Sequence, residues 1–445
     1  MTGIILGNIN SGAMAPPPRA LSDSFLQTNA ASAKRMIWLA AHDDVLITPT
    51  VATTPFVDYV NALKGGGTII SIATSPSDCR RPLPISEDDL RAGSYLMKSL
   101  TSLVSRATLS YLEPHIVDHA AVEFAQKLGL LPVTFANRRA HISPEVTGLF
   151  NDKGRFREFA PKLGVPIANG ETCVTTQALV DAAQRALSCS NAVILKMARH
   201  SGGEGNAVIT KTVKPAFQGA MHTVAIEKID ADSLRETVLG LGLHATEKEP
   251  VIIEVYNENE ASIGVHFDVQ PEYVELVGAA SILFSPGYGG ACWSKTVADE
   301  LSMEVLSWCR RLADYARETG YLGPISIDIV KGKRTGFFAC EVNGRHGGFT
   351  TTKSVVTSLG AEDDVKAGER VALSRTSICL EWTFSDLISR LERKHLHFRR
   401  ADRRGVVVVT EGYRNSGPYD FLLLANDQDD LGNMEQQLIE LFRES

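Results

Sequence analysis

Two hydrophobic periods alternate along the chain. Up to residue 140, short apolar runs of the strand type fall at 3–7, 35–39, 44–47 and 68–72, and segments with helical spacing fall at 55–63 and 117–128. This β–α alternation predicts an open α/β layer over residues 1–140. Gly65, Gly66 and Gly67 stand before a strand, so they suit a helix stop better than a phosphate-binding turn. From 141 to 375 the pattern becomes strand pairs joined by polar, glycine-marked turns: 192–196 with 207–209, 251–255 with 261–267, and 325–330 with 337–343. A strand is predicted to start at 165–166, and helices at 156–163, 178–187 and 303–319. From 376 to 445, helices at 380–391 and 431–442 and strands at 405–410 and 419–425 predict a small α+β unit. The expected fold class is a multidomain α/β and α+β protein divided as 1–140, 141–375 and 376–445.

Composition narrows the classes of function. At 445 residues the chain exceeds one typical core. The formal net charge of -7 disfavours a general nucleic-acid surface, so no nucleic-acid partner is expected. No apolar run approaches the ~20 residues of a membrane span, and the N-terminus lacks a basic signal region. No membrane partner and a cytoplasmic location are therefore expected. The seven cysteines are odd in number, scattered and never in a C-x-x-C pair, which fits small hydrophobes in a reducing compartment. The basic run at 393–404 reads as solvated surface on an acidic protein.

Candidate chemistry gathers in the three strand pairs. Side chains alternate along a strand, so Glu341 and Asn343 share a face, with Asp328 one strand over. If the faces match, two carboxylates and an amide oxygen converge as a site for a hard divalent cation such as Mg2+. Gly344, Arg345, His346, Gly347 and Gly348 follow, adding a fixed cation and glycine N–H groups that can approach an anion closely. Read alone, this stretch fits a solvated hairpin equally well. Lys196 ends a buried strand and is costly to bury unpaired, so an anionic partner is expected. The next turn, Ser201, Gly202, Gly203, Glu204 and Gly205, can fold over phosphates or be a loose hairpin tip. Glu254, Glu258 and Glu260 offer acceptors for an exocyclic amine or ribose hydroxyls, or form a solvated acidic turn. Residues 285–290 form another glycine-rich loop, suited to a lid.

In this order, Lys153, Lys196 with its glycine turn, Glu254 to Glu260, Asp328 and Glu341-Val342-Asn343-Gly344-Arg345 resemble the ATP-grasp superfamily over residues 141–375. The flanking blocks resemble the pre-ATP-grasp domain and the small C-terminal domain of the pheganomycin-type peptide ligases. The resemblance implies a two-subdomain ATP-grasp core and an ATP-dependent carboxylate–amine ligase that forms a peptide bond through an acyl phosphate. The cofactors would be ATP and one or two Mg2+ ions. The partners would be an amino-acid carboxylate donor and a peptide or amine acceptor, with the donor a guanidino-type nonproteinogenic amino acid in antibiotic biosynthesis. Lys153 and Lys196 would contact the nucleotide, with Ser201, Gly202, Gly203 and Gly205 over its phosphates. Glu254 and the backbone of Val255 and Tyr256 would hold adenine, and Glu260 the ribose. Asp328, Glu341 and Asn343 would bind metal. Arg345 would stabilise the transferring phosphoryl group, with Lys196 as its catalytic partner.

Tyr288 and Trp293 are candidates for a cationic-cap subsite. Three departures stand out. The Glu254–Glu260 interval is one residue shorter than in many relatives. Ser326 stands where several have an arginine, and Gly344 where a proline is common. Arg199 or another cation would then supply the missing charge. An acceptor other than a peptide, or a nucleotide-binding protein of the same fold without turnover, stays open, as does a homo-oligomer.

Overall fold

The computed structural model describes residues 2–15, 22–76, 79–91, 93–104, 109–130, 135, 142–200, 203, 205–212, 217–285, 287–413 and 417–444. Strands β1 (Thr2–Leu6), β2 (Val45–Thr48), β3 (Ile70–Ala73) and β4 (Leu109–Pro114) form a parallel sheet in the order β3-β2-β1-β4. A parallel sheet needs cover on both faces. Alternation along β1 supplies it: Ile4 and Leu6 join one core with Phe124 and Trp308, and Ile5 joins another with Trp38 and Phe56. Helix Thr54–Lys64 stops at Gly65, whose φ of 92° is left-handed, as the glycine run predicts. The strand predicted at 35–39 is instead a 3-10 turn, Lys34–Trp38, continuing helix Asp23–Ala33. The cause is tertiary: Met36, Ile37 and Trp38 are buried, and Trp38 Nε1 donates to Val409 O at 2.9 Å, near the other end of the chain.

A second sheet holds β5 (Gly170–Cys173), β6 (Ala192–Met197), β7 (Asn206–Thr210), β8 (His222–Ala225) and β9 (Val251–Val255) in the order β5-β9-β6-β7-β8. Helices Thr176–Cys189 and Ala231–Gly240 close its core through Leu179, Leu187, Leu234 and Val238. The strand expected from residue 165 begins only at Gly170.

The third sheet contains β10 (Asn259–Val269), β11 (Val274–Phe284), β12 (Tyr288–Trp293), β13 (Gly323–Gly332), β14 (Gly336–Asn343), β15 (Val371–Ile378), β16 (Gly405–Thr410) and β17 (Tyr419–Ala425). Its order is β14-β13-β10-β11-β12-β15-β17-β16. Residues 376–445 therefore do not make a separate sheet. The expected boundary at 375 cuts β15, and β17 pairs with β15 from Val371↔Ala425 onward. Such long-range pairing leaves no local hydrophobic signature, which is why the pattern read as an independent unit. The chain ends also share a core, in which Trp38 and Phe56 meet Phe384, Val408 and Phe421. All seven cysteines are free. Among the described residues no helix is long and apolar enough to cross a membrane.

One buried ion pair ties these ends together. Lys34 Nζ lies 2.9 Å from Glu411 Oε1, with both side chains 3% exposed. Glu411 also accepts from Thr53 N at 2.7 Å and from Thr53 Oγ1. Glu411→Ala strands a buried ammonium, so a loss of about 3–5 kcal/mol in urea unfolding is expected. Lys34→Met with Glu411→Leu should recover most of it; a single-variant loss under ~1 kcal/mol would remove the pair from the structural account.

Candidate active site

The eight-stranded sheet turns one face to helix Met303–Glu318 and the other to a cavity of about 990 Å³. Ile263, Val265 and Phe267 of β10 and Ile325, Ile327 and Ile329 of β13 are core residues. Alternation then aims Ser262, Gly264, His266, Ser326 and Asp328 at the cavity. Asp328 pairs with Glu341, but the next matched pair is Ile329↔Ala339, so Cys340 is an extra, bulged residue. The bulge keeps Ala339 in the core while Glu341 and Asn343 face the cavity. Asn343 Nδ2 lies 3.2 Å from Glu341 Oε1 and 3.4 Å from Asp328 Oδ2, and Ser326 Oγ lies 3.4 Å from Asp328 Oδ1. The structure thus brings together the three side chains expected to converge.

Two half-buried carboxylates this close resist double ionisation. Burial and the neighbouring Glu341 push the Asp328 carboxyl up. Burial also pushes on Glu341, but Lys153 Nζ, 2.8 Å from Oε2, and Arg345 hold it well down. Glu341 is therefore the more readily ionised of the two, and a divalent cation would favour ionisation of both. Two carboxylates and an amide are hard oxygen donors, which fits Mg2+ rather than zinc. Among the described residues no group of three or more His, Cys, Asp or Glu is placed to hold a metal. Beside the pair, His266 stacks on Phe349 at 3.7 Å, and burial lowers its pKa to about 3, so this wall is neutral.

Lys153 opens helix Lys153–Phe159, and its Nζ also donates to His200 O at 2.9 Å. It therefore links Glu341 to the tip of the β6–β7 hairpin. Lys196 Nζ lies 2.6 Å from Glu254 Oε2. Burial disfavours the Lys196 charge, but Glu254 outweighs it and lifts the ammonium above an ordinary lysine. The anionic partner expected for Lys196 is thus Glu254, the residue expected at adenine. The other Glu254 oxygen takes Arg157 Nη1 at 2.6 Å, and Arg157 also donates to Ala168 O and Gly170 O. Arg157 escaped the sequence reading, although it stands four residues after Lys153 on one helix face.

Other expected contacts rearrange. The N–H groups of Val255 and Tyr256 donate to Asn169 O (2.9 Å) and Ala192 O (3.0 Å), so neither is free for a purine edge. Glu260 sits in a register shift between Asn259 and Ala261 and pairs with Lys331 at 2.9 Å, while Glu258 pairs with Lys333. Asn257, Asn259 and Ser262 line the cavity instead. Ser201 and Gly202 lie outside the described residues, as does Glu204. Gly203 has a left-handed φ of 82°, and a Cβ at Gly205 would come within 2.7 Å of the His200 side chain. Arg199 turns away to Lys248 O at 3.2 Å. Trp293, 2% exposed, is a core residue; Tyr288 lines the cavity with its hydroxyl against Gly348.

Arg345 is anchored by Asn151 Oδ1, whose amide donates to Thr147 O (2.7 Å) and Gly344 O (3.0 Å). Gly344 N donates to Phe150 O at 3.0 Å, a bond that a proline there would lose. His346 Nε2 contacts Glu113 Oε1 at 2.9 Å, and its N–H donates to His115 O. The N-terminal sheet thus holds the loop carrying Arg345. Arg35, Glu113 and His115 line the cavity, a contribution with no local sequence signal.

This fold is the ATP-grasp architecture with a pre-ATP-grasp domain. Residues 33–130 match the family model described as the Pre ATP-grasp domain. No curated protein matches the chain by sequence. The chain is similar to the N5-carboxyaminoimidazole ribonucleotide synthetase of Thermus thermophilus, at 13% identity, TM-score 0.55, covering 100% of this chain and 98% of that one. It is similar to a biotin carboxylase from Campylobacter jejuni solved as a β,γ-ATP complex, at 13% identity, TM-score 0.54, covering 96% and 88%. It is also similar to an L-amino acid ligase from Bacillus licheniformis, at 10% identity, TM-score 0.51, covering 99% and 96%.

Two predictions follow from the charges. Glu341→Gln should abolish the thermal stabilisation that millimolar Mg2+ with ADP gives the native protein and lower turnover by about 100-fold or more; an undiminished Mg2+ shift would remove Glu341 from the metal site. Lys196→Met should keep the fold, because Arg157 still neutralises Glu254, yet weaken MgADP binding roughly 10–100-fold by calorimetry. Unchanged affinity would confine Lys196 to a structural role.

Proposed function

We propose that the protein is an ATP-dependent carboxylate–amine ligase. The observation that carries this reading is the placement of Asp328, Glu341 and Asn343 in one cavity with Lys153, Lys196 and Arg345. Lys153 and Lys196 neutralise phosphate oxygens of ATP, with Gly203 and Gly205 of the hairpin tip over them. Tyr256, Asn257 and Ile194 border the purine, and Asn259 replaces Glu260 at the ribose. Asp328, Glu341 and Asn343 would hold Mg2+, which would supply charge neutralisation for the phosphoryl group.

The acid carboxylate oxygen attacks the γ-phosphorus, and the bond to the bridging oxygen breaks with its electrons on ADP. The amine nitrogen then attacks the acyl carbon, phosphate leaves with the C–O electron pair, and the nitrogen loses a proton. Arg345, fixed by Asn151, lies where negative charge moves in both steps.

The finer reading is a peptide ligase that joins a guanidino-type amino acid to a peptide N-terminus in natural-product biosynthesis. Asp268 and Glu275, paired across β10 and β11 on the cavity face, favour a substrate with a cationic end. The test uses ATP, Mg2+ and hydroxylamine as a surrogate amine with a panel of amino acids, reading ADP and hydroxamate by mass spectrometry. Hydroxamate is expected with basic or guanidino acids first, and peptide amines should then replace hydroxylamine. Product with simple amines but no peptide would favour the non-peptide acceptor; MgADP binding with no product from any acid would leave a nucleotide-binding protein without turnover.

A further inference from the structure

Arg35 and Lys34 are neighbours in one 3-10 turn, yet their charges are met differently. Lys34 has its own buried carboxylate in Glu411. Arg35 lines the cavity, and its hydrogen-bond contact among the described residues is Nη2 to His115 Nε2 at 3.5 Å. Its Nε, shut away from solvent, has no hydrogen-bond partner among the described residues. His115 gives no compensation, because burial and the guanidiniums of Arg35 and Arg345 keep its imidazole neutral. Asp420 opposes the Arg35 charge, but burial raises that carboxyl too, and its Oδ1 accepts from Ser377 N.

Two arginines, Arg35 and Arg345, thus face one cavity without a carboxylate at ion-pair distance among the described residues. A buried cation is retained where it meets an anion, and the planar guanidinium edge matches a carboxylate. Lys196 stands two residues along β6 from Ile194, whereas Arg35 and His115 come from the N-terminal domain, with Arg35 close to Tyr288 and Gly348. Asn29, 3% exposed, also lines the cavity, and its Nδ2 lacks a partner among the described residues.

We propose that Arg35 is a substrate-binding residue that grips the carboxylate of the acid substrate opposite Arg345, so that the N-terminal domain selects the acid. This rests on the ligase reading above. The test titrates trifluoroacetate, a small carboxylate seen by 19F NMR, into the MgADP-loaded protein. Wild type should broaden the signal saturably. Arg35→Met should weaken this at least tenfold, Arg35→Lys should restore part of it, and both should bind MgADP within twofold of wild type by calorimetry. With the acid found in the hydroxamate assay, Arg35→Met should raise the KM for acid at least tenfold and leave the KM for ATP unchanged. Equal trifluoroacetate affinity in wild type and Arg35→Met, or no binding to wild type, overturns the proposal. If Arg35→Met does not fold, the Lys variant decides by the same titration: affinity equal to wild type overturns the proposal. A failed ligase reading shows separately, as no hydroxamate from any acid while both titrations still report.

Discussion

Two half-buried carboxylates on adjacent strands, facing one another, constrain the rest of the cavity. Asp328 and Glu341 cannot both be ionised without a nearby cation. Lys153 supplies one, and its ammonium reaches both Glu341 and the carbonyl of His200. One charge requirement on the eight-stranded sheet therefore fixes the approach of the hairpin tip on the five-stranded sheet. Helix Lys153–Phe159 carries the constraint further, since Arg157, one turn along, holds Glu254, and Glu254 holds Lys196. The chain Glu341–Lys153 and Arg157–Glu254–Lys196 alternates in sign through a low-dielectric interior, where unmatched charges are most costly.

Part of this was legible in the sequence because it depends on strand period alone. Glu341 and Asn343 lie two residues apart, and a strand places such residues on one face whatever surrounds it. The cost of burying Lys196 was equally legible, but its partner was not. Lys196 and Glu254 were each assigned to a ligand, and the β6–β9 pairing that brings Ile194 beside Glu254 is a tertiary fact. Glu260 failed for a related reason. A register shift breaks the alternation there, and the lysines of the β13–β14 hairpin take up the acidic turn. Arg35 was hidden by its neighbours: β-branched and aromatic residues around it read as a strand, whereas burial of Trp38 against Val409 makes the segment a turn.

The role of the N-terminal block is where the structure adds most. Its sheet leads into Glu113 and His115, which hold His346 directly after Arg345. Its first helix sends Phe25 against His200, 5.9 Å between ring centroids, at the hairpin tip. These contacts touch the loop of Arg345 on one side and His200 at the hairpin tip on the other. A domain joined at both points cannot shift without disturbing Arg345 or the tip. Ser326 leaves the central sheet without a cation of its own beside Asp328, and Arg199 points away. The 3-10 turn found where a strand was predicted brings Arg35 to the cavity wall, so the local misfit between pattern and structure coincides with a guanidinium that has no carboxylate at ion-pair distance among the described residues.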